Sequence, residues 1–296
     1  MHQNPHIASH EPVLLAETLA YLNPQKGDKY LDVTAGYGGH ASAVLGLSAN
    51  YSDSVLVDRD AAAIKELAKK FSSQGIKPIH SDYLSASRKL LKANCRFDLI
   101  MADLGVSSPH LNEVKRGFSF AAEGPLDMRM DPRQEVTAWT IVNRSSEADL
   151  ADILWRYGEE PKARQVARLI VRRRPLSTTT ELAAAAKKAW PDHSRSHPAR
   201  RTFQAVRIAV NSELDQLAQA LPIWLKLLEP GGRLAIISFH SLEDRIVKQF
   251  LAGESGETYD AKLKLLTKHP IVPGPHETAH NPRARSAKLR AAVKQT

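Results

Sequence analysis

The stretch that decides the fold is Lys29-Tyr30-Leu31-Asp32-Val33-Thr34-Ala35-Gly36-Tyr37-Gly38-Gly39-His40. Residues 30–33 are typical of a short buried strand, and the pattern over 41–45 predicts that a helix follows the glycines. A strand, a glycine-rich turn and a helix form a cradle for a nucleotide-type cofactor, because glycines let the backbone approach a ligand and the helix start presents free N–H groups. The spacing differs from G-x-G-x-x-G, so the dinucleotide fingerprint is not met. An ordinary turn with glycines for packing is the alternative.

Strands and helices alternate on both sides of this stretch. Further strands are predicted at 54–57, 77–80 and 97–102, with an amphipathic helix over 61–71, which indicates a doubly wound parallel sheet. From about 133 to 211 the patterns are helical only. A helix over 212–228, broken near Pro222, then leads through Pro-Gly-Gly to a strand at 233–239. A pair of strands at 264–267 and 287–293, separated by a proline-rich loop over 270–286, completes the chain.

This order predicts an α/β fold whose sheet is interrupted by an all-helical domain. The predicted bounds are 1–127 for the first part of the sheet domain, 128–211 for the helical insertion and 212–296 for the completion of the sheet domain. A chain of 296 residues is long enough to bury a core of that size.

Composition limits the class of protein. The single cysteine, Cys95, excludes an internal disulfide framework and a cysteine-based zinc site. No apolar run reaches the ~18 residues of a membrane span, and the first ten residues lack the apolar core of a signal peptide. We therefore expect a cytoplasmic protein that has no membrane partner.

Positive charge is concentrated in two segments. The net charge of the chain is +9, with +6 in residues 128–213, +7 in residues 262–296 and −4 in the remainder. Segregated basic charge favours a polyanionic partner, and nucleic acid is the obvious one. Charge that serves only solubility is the alternative.

Polar residues follow each predicted strand of the first half. Asp58 ends the second strand, where a carboxylate can accept hydrogen bonds from the ribose hydroxyls of an adenosine. Tyr83 follows the third strand, where an adenine ring would be covered, and Asp103 ends the fourth, facing the reacting atom. Ligands of such sheets bind at these strand ends. Any one aspartate is more often a turn or helix-capping residue, but together with the glycine turn they favour S-adenosyl-L-methionine (SAM) as the cofactor.

The cysteine and the histidines mainly serve to exclude other kinds of chemistry. Methylation at C5 of a pyrimidine needs a cysteine nucleophile, and Cys95 precedes the fourth strand, at the wrong end of the sheet. An exocyclic amine or a hydroxyl is the better acceptor. His40, His110 and His240 lack the spacing of a metal site or of a hydrolytic triad, so no metal is predicted.

Longer stretches resemble a known family over nearly the full chain. The resemblance is to the RsmH/MraW family of bacterial 16S rRNA (cytosine-N4)-methyltransferases. The stretches that carry it are Gly38-Gly39-His40, Asp58-Arg59-Asp60, Asp103-Leu104-Gly105-Val106-Ser107-Ser108-Pro109, Gly124-Pro125-Leu126-Asp127-Met128-Arg129-Met130-Asp131, Thr202-Phe203-Gln204-Ala205-Val206-Arg207-Ile208, Ile237-Ser238-Phe239-His240-Ser241-Leu242-Glu243-Asp244-Arg245 and Asn281-Pro282-Arg283-Ala284-Arg285-Ser286.

The resemblance implies a Rossmann-like SAM-dependent methyltransferase sheet with an inserted helical domain. It implies methylation of N4 of one cytidine in the decoding centre of 16S rRNA, with the small ribosomal subunit as partner. The family's SAM contacts map onto Gly38, Gly39, His40, Asp58, Tyr83, Asp103 and His110. Tyr83 stands where phenylalanine is common, and His110 stands where glutamine is usual. The oligomeric state is left open.

Roles in the reaction follow as hypotheses. Asp103 is the first candidate to orient or deprotonate the cytosine amine, with Ser107 and Ser108 next. RNA phosphates would be bound by arginines of the insertion, namely Arg164, Arg168, Arg172, Arg173, Arg174, Arg200 and Arg201. Two alternatives stay open: a SAM-dependent N-methyltransferase acting on another nucleic acid, and a non-catalytic RNA-binding factor of ribosome assembly.

Overall fold

The computed structural model describes residues 12–190, 197–256 and 261–295. The chain forms two compact units. One combines the chain up to Gly105 with the chain from Gln216 onward, and we call it the sheet unit; the other, Val106–Asp215, is the helical unit. None of the helices in the described ranges has the length and apolar character needed to cross a membrane.

Among the described residues, seven strands form the sheet of the sheet unit. They are β1 (Tyr30–Asp32), β2 (Val55–Asp58), β3 (Ile79–His80), β4 (Phe97–Asp103), β5 (Leu228–Ser238), β6 (Leu263–Leu265) and β7 (Lys288–Lys294). Their order in the sheet is β3-β2-β1-β4-β5-β7-β6, in which β1 to β5 are parallel and β7 is antiparallel to both neighbours. The prediction of a Rossmann-like α/β fold is therefore confirmed.

Helices follow the strands in the order of the chain. They are α1 (Leu15–Leu22), α2 (Gly39–Ser48), α3 (Ala61–Lys70), α4 (Tyr83–Lys92), α5 (Ser108–Asn112), α6 (Ala138–Arg144), α7 (Glu147–Gly158), α8 (Ala163–Val171), α9 (Thr179–Lys187), α10 (Ala199–Asn211), α11 (Glu213–Leu227), α12 (Ser241–Gly253) and α13 (Pro275–His280). Short 3-10 turns lie at Ser72–Gln74, Val114–Arg116 and Pro282–Ser286.

The register of the parallel strands brings three aspartates to one edge. Asp32 is the last residue of β1 and lies opposite Met101 of β4, two residues before Asp103. Asp58 is the last residue of β2, and Asp103 the last of β4. We call this side of the sheet, defined by Asp32, Asp58 and Asp103, the carboxyl edge. Ligands of open α/β sheets bind outside this edge.

Caps start the helices that leave the carboxyl edge. The side chain of Asp60 accepts a hydrogen bond from the Ala62 amide at 3.0 Å at the start of α3. The side chain of Asp82 likewise accepts one from Ser85 at 2.8 Å at the start of α4. Caps of this kind contribute about 1 kcal/mol each. They fix where the chain turns after β2 and β3, and hence the position of Tyr83.

Three elements differ from the sequence prediction. β5 begins at Leu228, so the Pro-Gly-Gly turn predicted before it lies inside the strand. α11 is not broken at Pro222; the buried Leu221 and Trp224 on either side provide packing that offsets the ~3 kcal/mol cost of a proline inside a helix. The predicted loop over 270–286 contains α13 and a 3-10 turn, because the prolines stand at helix starts, where no N–H is needed.

The helical unit begins earlier than the predicted insertion. The prediction was 128–211, whereas the compact unit is Val106–Asp215. The difference has a packing reason, since Phe118 and Leu126 are buried in the core of the helical unit together with Leu150, Leu154 and Ile170. The glycines and prolines within 117–132 predict a loop, so the sequence alone does not assign these two residues to the core.

One buried asparagine ties the helical unit together. The side-chain oxygen of Asn211 accepts a hydrogen bond from the Met130 amide at 2.9 Å. Its nitrogen donates to the carbonyls of Met128 at 2.8 Å and Arg207 at 2.9 Å. Asn211 has no exposed surface, so these bonds replace water that the backbone of 128–130 would otherwise require.

The substitution Asn211→Asp replaces this side-chain amide by a carboxylate and tests its structural role. We expect Asn211→Asp to lower the free energy of unfolding by roughly 2–3 kcal/mol, because a buried charge would face two carbonyl oxygens. Urea denaturation followed by tryptophan fluorescence measures the loss, since Trp139, Trp155 and Trp190 lie in this unit. Gln165→Glu makes the same chemical change on the exposed surface of α8 and should alter stability by less than ~0.5 kcal/mol. Equal stability of the two variants would contradict the assignment.

Candidate functional site

The glycine turn between β1 and α2 has one open side. Gly36 and Gly38 adopt positive φ angles of 51° and 75°. A Cβ atom on Gly36 would meet only the Thr34 carbonyl, at 3.9 Å, so the backbone there is open to a ligand. A Cβ on Gly38 would lie 3.0 Å from a side-chain carbon of Leu67, and one on Gly39 would lie 2.5 Å from Pro12. Gly38 and Gly39 are therefore required by packing, and Gly36, which was not predicted as a contact, provides the opening.

Asp58 connects this turn to the end of β2. One carboxylate oxygen of Asp58 accepts a hydrogen bond from the Gly36 amide at 2.7 Å, and the other accepts one from Asp60 at 2.8 Å. Asp58, which is predicted as a cofactor contact, thus also fixes the shape of the glycine turn.

Tyr83 lies at the first position of α4 and is half-buried. Its ring packs edge-to-face against Trp224, with 5.6 Å between ring centroids. Trp224 is itself held by a hydrogen bond of 2.9 Å from its indole nitrogen to Ser87. The orientation of Tyr83 is therefore set by a buried partner on α11, and this suits a ring that covers a flat ligand.

Asp32 supports the turn from inside the protein. Its side chain is 1% exposed and accepts hydrogen bonds from the Tyr30 hydroxyl at 2.8 Å and from the Thr34 amide at 3.1 Å. Burial raises the pKa of Asp32 to about 7; the two hydrogen bonds act in the opposite direction, and the charge of Asp58 adds to the increase. Tyr30 is the partner that the sequence did not reveal.

Asp103 is the acid that faces outward. Its amide donates to the Thr34 hydroxyl at 2.6 Å, and one carboxylate oxygen lies 3.7 Å from Nε2 of His40. The side chain keeps 29% of its surface exposed. Burial by the surrounding protein raises the pKa of Asp103 to about 8, with further contributions from the negative charges of Asp32 and Glu243. A carboxyl group in this setting is stabilised as an anion by an approaching cation.

His40 belongs to the same edge. It is the second residue of α2, is 6% exposed and lies beside Asp103. The first N–H groups of α2 point out of the start of the helix, because no carbonyl group within the helix accepts hydrogen bonds from them. Gly36, His40, Asp58 and Asp103 are thus brought together on the sheet unit, and a contact of the last three with the cofactor stays a prediction.

The end of β5 adds an acid that sequence reasoning did not assign to the site. Glu243 accepts a hydrogen bond from the Phe239 amide at 2.8 Å and lies 3.3 Å from Nε2 of His240. Their side chains are 3% and 8% exposed, respectively. Glutamate three residues after a helix cap is a known pattern for binding the preceding backbone, and that signal was present in the sequence. Its charge acts on Asp103 across the neighbouring strand end.

The remaining predicted cofactor residue, His110, lies in the helical unit. It is 5% exposed, accepts a hydrogen bond from the Ser107 amide at 3.2 Å and stacks on Phe118 with 5.0 Å between centroids. Ser107 is the cap of α5 and Ser108 its first residue. His110 therefore helps to cap its own helix. Its contact with a cofactor, and the role of the two serines in a base pocket, stay predictions.

The predicted phosphate-binding arginines fall into two groups. Five are exposed, and these are Arg164, Arg168, Arg172, Arg200 and Arg201. The first three follow one another at four-residue spacing along α8, where Arg168 lies 3.4 Å from Glu147, and the last two lie in the first turn of α10. Arg173 and Arg174 instead donate to backbone carbonyls, of Ala184 at 3.3 Å and Val142 at 2.7 Å, so they stabilise the unit itself.

Comparison with known proteins gives close relatives along the whole chain. A ribosomal RNA small subunit methyltransferase H of Acidobacterium capsulatum is 47% identical over 297 residues, which cover 97% of this chain and 98% of the relative. The protein of the same name from Cyanothece sp. is 48% identical, over 96% of this chain and 94% of the relative. Among solved structures, an rRNA methylase from Streptococcus thermophilus aligns with a TM-score of 0.44 and 11% identity, over 98% of this chain and 100% of that chain.

The family match agrees with the resemblance noted in the sequence. It extends over residues 7–295 and so includes both units. The open glycine turn, the acid at the end of β2 and the cation-attracting carboxyl group at the end of β4 fit a cofactor that carries an adenosine and a positively charged sulfur. The chain belongs to the MraW methylase family, and its cofactor is S-adenosyl-L-methionine, as the sequence predicted.

Proposed function

We propose that the protein transfers a methyl group from SAM to N4 of one cytidine in the decoding centre of 16S rRNA. The observation that carries the proposal is the outward-facing carboxyl group of Asp103, whose pKa is raised at the end of β4 beside the glycine turn. Relatives that are 47% and 48% identical are named ribosomal RNA small subunit methyltransferases, which supports the rRNA substrate. Such a substrate places the enzyme in the cytoplasm, with the small ribosomal subunit as its partner.

The cofactor would be held by residues of the carboxyl edge. Backbone at Gly36 and the amides at the start of α2 would approach it, and Asp58 would accept hydrogen bonds from its ribose hydroxyls. Tyr83 would cover the adenine ring, and Asp103 would lie toward the positive charge. SAM supplies an electrophilic methyl group bound to sulfur.

The acceptor is the exocyclic amine of cytosine, whose lone pair is delocalised into the ring. Asp103 would accept a hydrogen bond from this amine, turn the lone pair toward the methyl group and receive the proton that is released. Positioning of this kind supplies several kcal/mol of barrier reduction. The alternative at C5 lacks its nucleophile, since Cys95 lies between α4 and β4, at the amino end of the strand.

The backbone turns sharply directly after Asp103. Leu104 donates its amide to the Ile237 carbonyl at 2.9 Å, and Gly105 then turns with a φ of 94°. A Cβ atom at position 105 would lie 3.3 Å from the ring of Phe239. Glycine is therefore required for this turn, which would direct backbone carbonyls toward an unstacked base.

RNA binding would involve the exposed arginines of the helical unit. Arg164, Arg168 and Arg172 would meet phosphates along α8, and Arg200 and Arg201 would do so at α10. The target base must leave its stack to reach Asp103, which favours an accessible segment of rRNA.

The direct test is methyl transfer from labelled SAM to small ribosomal subunits from cells that lack the modification, with nucleoside analysis of the product. We expect N4-methylcytidine with the wild type and at least a ~100-fold lower kcat for Asp103→Ala, because the group that orients and deprotonates the amine is removed. Asp53→Ala alters an exposed aspartate between α2 and β2 and should keep wild-type activity. Absence of N4-methylcytidine on subunits, free rRNA and DNA would refute the proposed function.

The pH dependence of SAM affinity tests the charge of Asp103. In the free protein the pKa of Asp103 is about 8, and the cationic sulfur of SAM lowers it, so SAM binding releases a proton. The affinity for SAM should therefore rise with pH, by up to about tenfold per unit between pH 6 and 8, and level off above the free pKa. Titration calorimetry at several pH values measures this rise.

Two controls separate this effect from other titrations. S-adenosylhomocysteine has the same amine and carboxylate but a neutral sulfur, so its affinity should change much less with pH. Asp103→Asn should remove most of the difference between the two ligands. A parallel pH dependence for both ligands with the wild type would rule out Asp103 as the group that binds the cation.

A further inference from the structure

A segment near the end of the chain, residues 271–288, is well placed to contact RNA beside the reaction. It contains α13 and the 3-10 turn Pro282–Ser286, and we call it the rim. We propose that the rim binds the phosphate backbone of the substrate RNA through Arg283 and Arg285, on the acceptor side of the methyl-transfer site. The proposal rests on the proposed function for its substrate class.

Sheet topology places the rim at the carboxyl edge. β7 is antiparallel to β5, and its first residue, Lys288, lies opposite Ser238, the last residue of β5. In the pairing of β4 with β5, Asp103, the last residue of β4, lies opposite Ile237. The chain therefore enters β7 from the same edge at which β4 ends. The turn that carries Arg283 and Arg285 directly precedes this entry.

The rim is fixed to the sheet unit at both of its ends. Ile271 and Leu289 exchange backbone hydrogen bonds of 2.9 Å in both directions. Ala284 and Ala287 are buried in the core beneath β5 and β7. In the middle, the side chain of Glu277 accepts a hydrogen bond of 2.8 Å from the Leu14 amide, just before α1. An ordered segment of this kind presents its side chains in a defined direction, which lowers the entropic cost of binding.

Some charged residues at the rim form ion pairs within the fold, and others lie exposed on its surface. Lys288, the last residue of the rim, and Arg290 just beyond it both pair with Asp244 of α12, at 3.1 Å and 2.6 Å, so this one carboxylate offsets part of their charge within the fold. Arg283 and Arg285 stand on either side of the buried Ala284 and are exposed. Within residues 12–190, 197–256 and 261–295, Arg285 forms no ion pair. The exposed charge of Arg285 is thus available to a partner.

The rim lies on the side of the sheet from which the methyl acceptor would approach, which favours the substrate RNA as its partner. Residues that would hold SAM lie at β1, β2 and β3, so the methyl group is presented near β4 and the acceptor must approach from the side of β5 and β7. Guanidinium groups match phosphate oxygens with paired hydrogen bonds. The chain from residue 262 onward has a net charge of +7, which suits a polyanion rather than an apolar surface.

The experiment compares matched double variants. Arg283→Ala/Arg285→Ala removes two exposed charges at the rim, and Lys89→Ala/Lys92→Ala removes two exposed charges near the end of α4, away from the carboxyl edge. Binding of a protein-free rRNA fragment that spans the decoding centre is measured at several salt concentrations, and SAM affinity is measured in parallel. SAM affinity should be the same in all variants, which shows that the sheet unit is intact.

The rim variant should bind the RNA roughly ten- to thirtyfold more weakly at 0.1 M salt, and the slope of log K against log salt should become shallower by about 1.4. Arg283→Lys/Arg285→Lys should keep the wild-type slope, and Lys89→Ala/Lys92→Ala should bind like the wild type. With small subunits as substrate, the loss in the rim variant should appear in KM rather than in kcat.

Three results would overturn the proposal. Equal losses in the rim and α4 variants would mean that only net charge matters. An unchanged salt slope in the rim variant would mean that no phosphates are bound there. Weaker binding to intact subunits, with unchanged binding to protein-free RNA, would mean that the rim contacts a protein. RNA binding is measured without methyl transfer. A failure of the proposed activity on cytidine N4 would therefore appear only in the methyl-transfer assay, and not in the binding data.

Discussion

The hydrogen bonds of Asp32 are the constraint on which the cofactor site depends. A carboxyl group at the end of β1 is buried, and the Tyr30 hydroxyl and the Thr34 amide hold it there. Thr34 in turn accepts a hydrogen bond from the Asp103 amide through its hydroxyl, so the turn after β1 and the end of β4 are joined. The position of Asp103 is therefore tied to an acid that is itself only 1% exposed. Loss of the Asp32 bonds would move both sides of the site together.

The free site carries an excess of acid. Asp32, Asp58, Asp103 and Glu243 gather where the parallel strands end, and their mutual repulsion adds to burial in raising the pKa values of Asp32 and Asp103. A cationic cofactor relieves part of this repulsion, which a neutral product does not. If these residues hold the cofactor as proposed, the arrangement would favour the charged methyl donor over its neutral product.

Much of this organisation could be predicted from the sequence, because it follows from local patterns. Strand and helix periodicity predicted the sheet, and the aspartates after three strands marked its carboxyl edge. What could not be predicted depends on contacts between distant residues. The packing roles of Gly38 against Leu67 and of Arg174 against Val142 are of this kind. The early start of the helical unit is another, since only the packed core shows that Phe118 and Leu126 belong to it.

The antiparallel strand β7 has a consequence for the timing of folding. β7 lies between β5 and β6 in the sheet but is synthesised after both. Until residue 294 has left the ribosome that makes it, β6 has no neighbour in the sheet and the outer edge of β5 stays open. The acceptor side of the edge is then unformed, although the cofactor side, built on β1 to β4, is already encoded. In a nascent chain, β1 to β4 can therefore pair while the segment that enters β7 at the same edge is still missing.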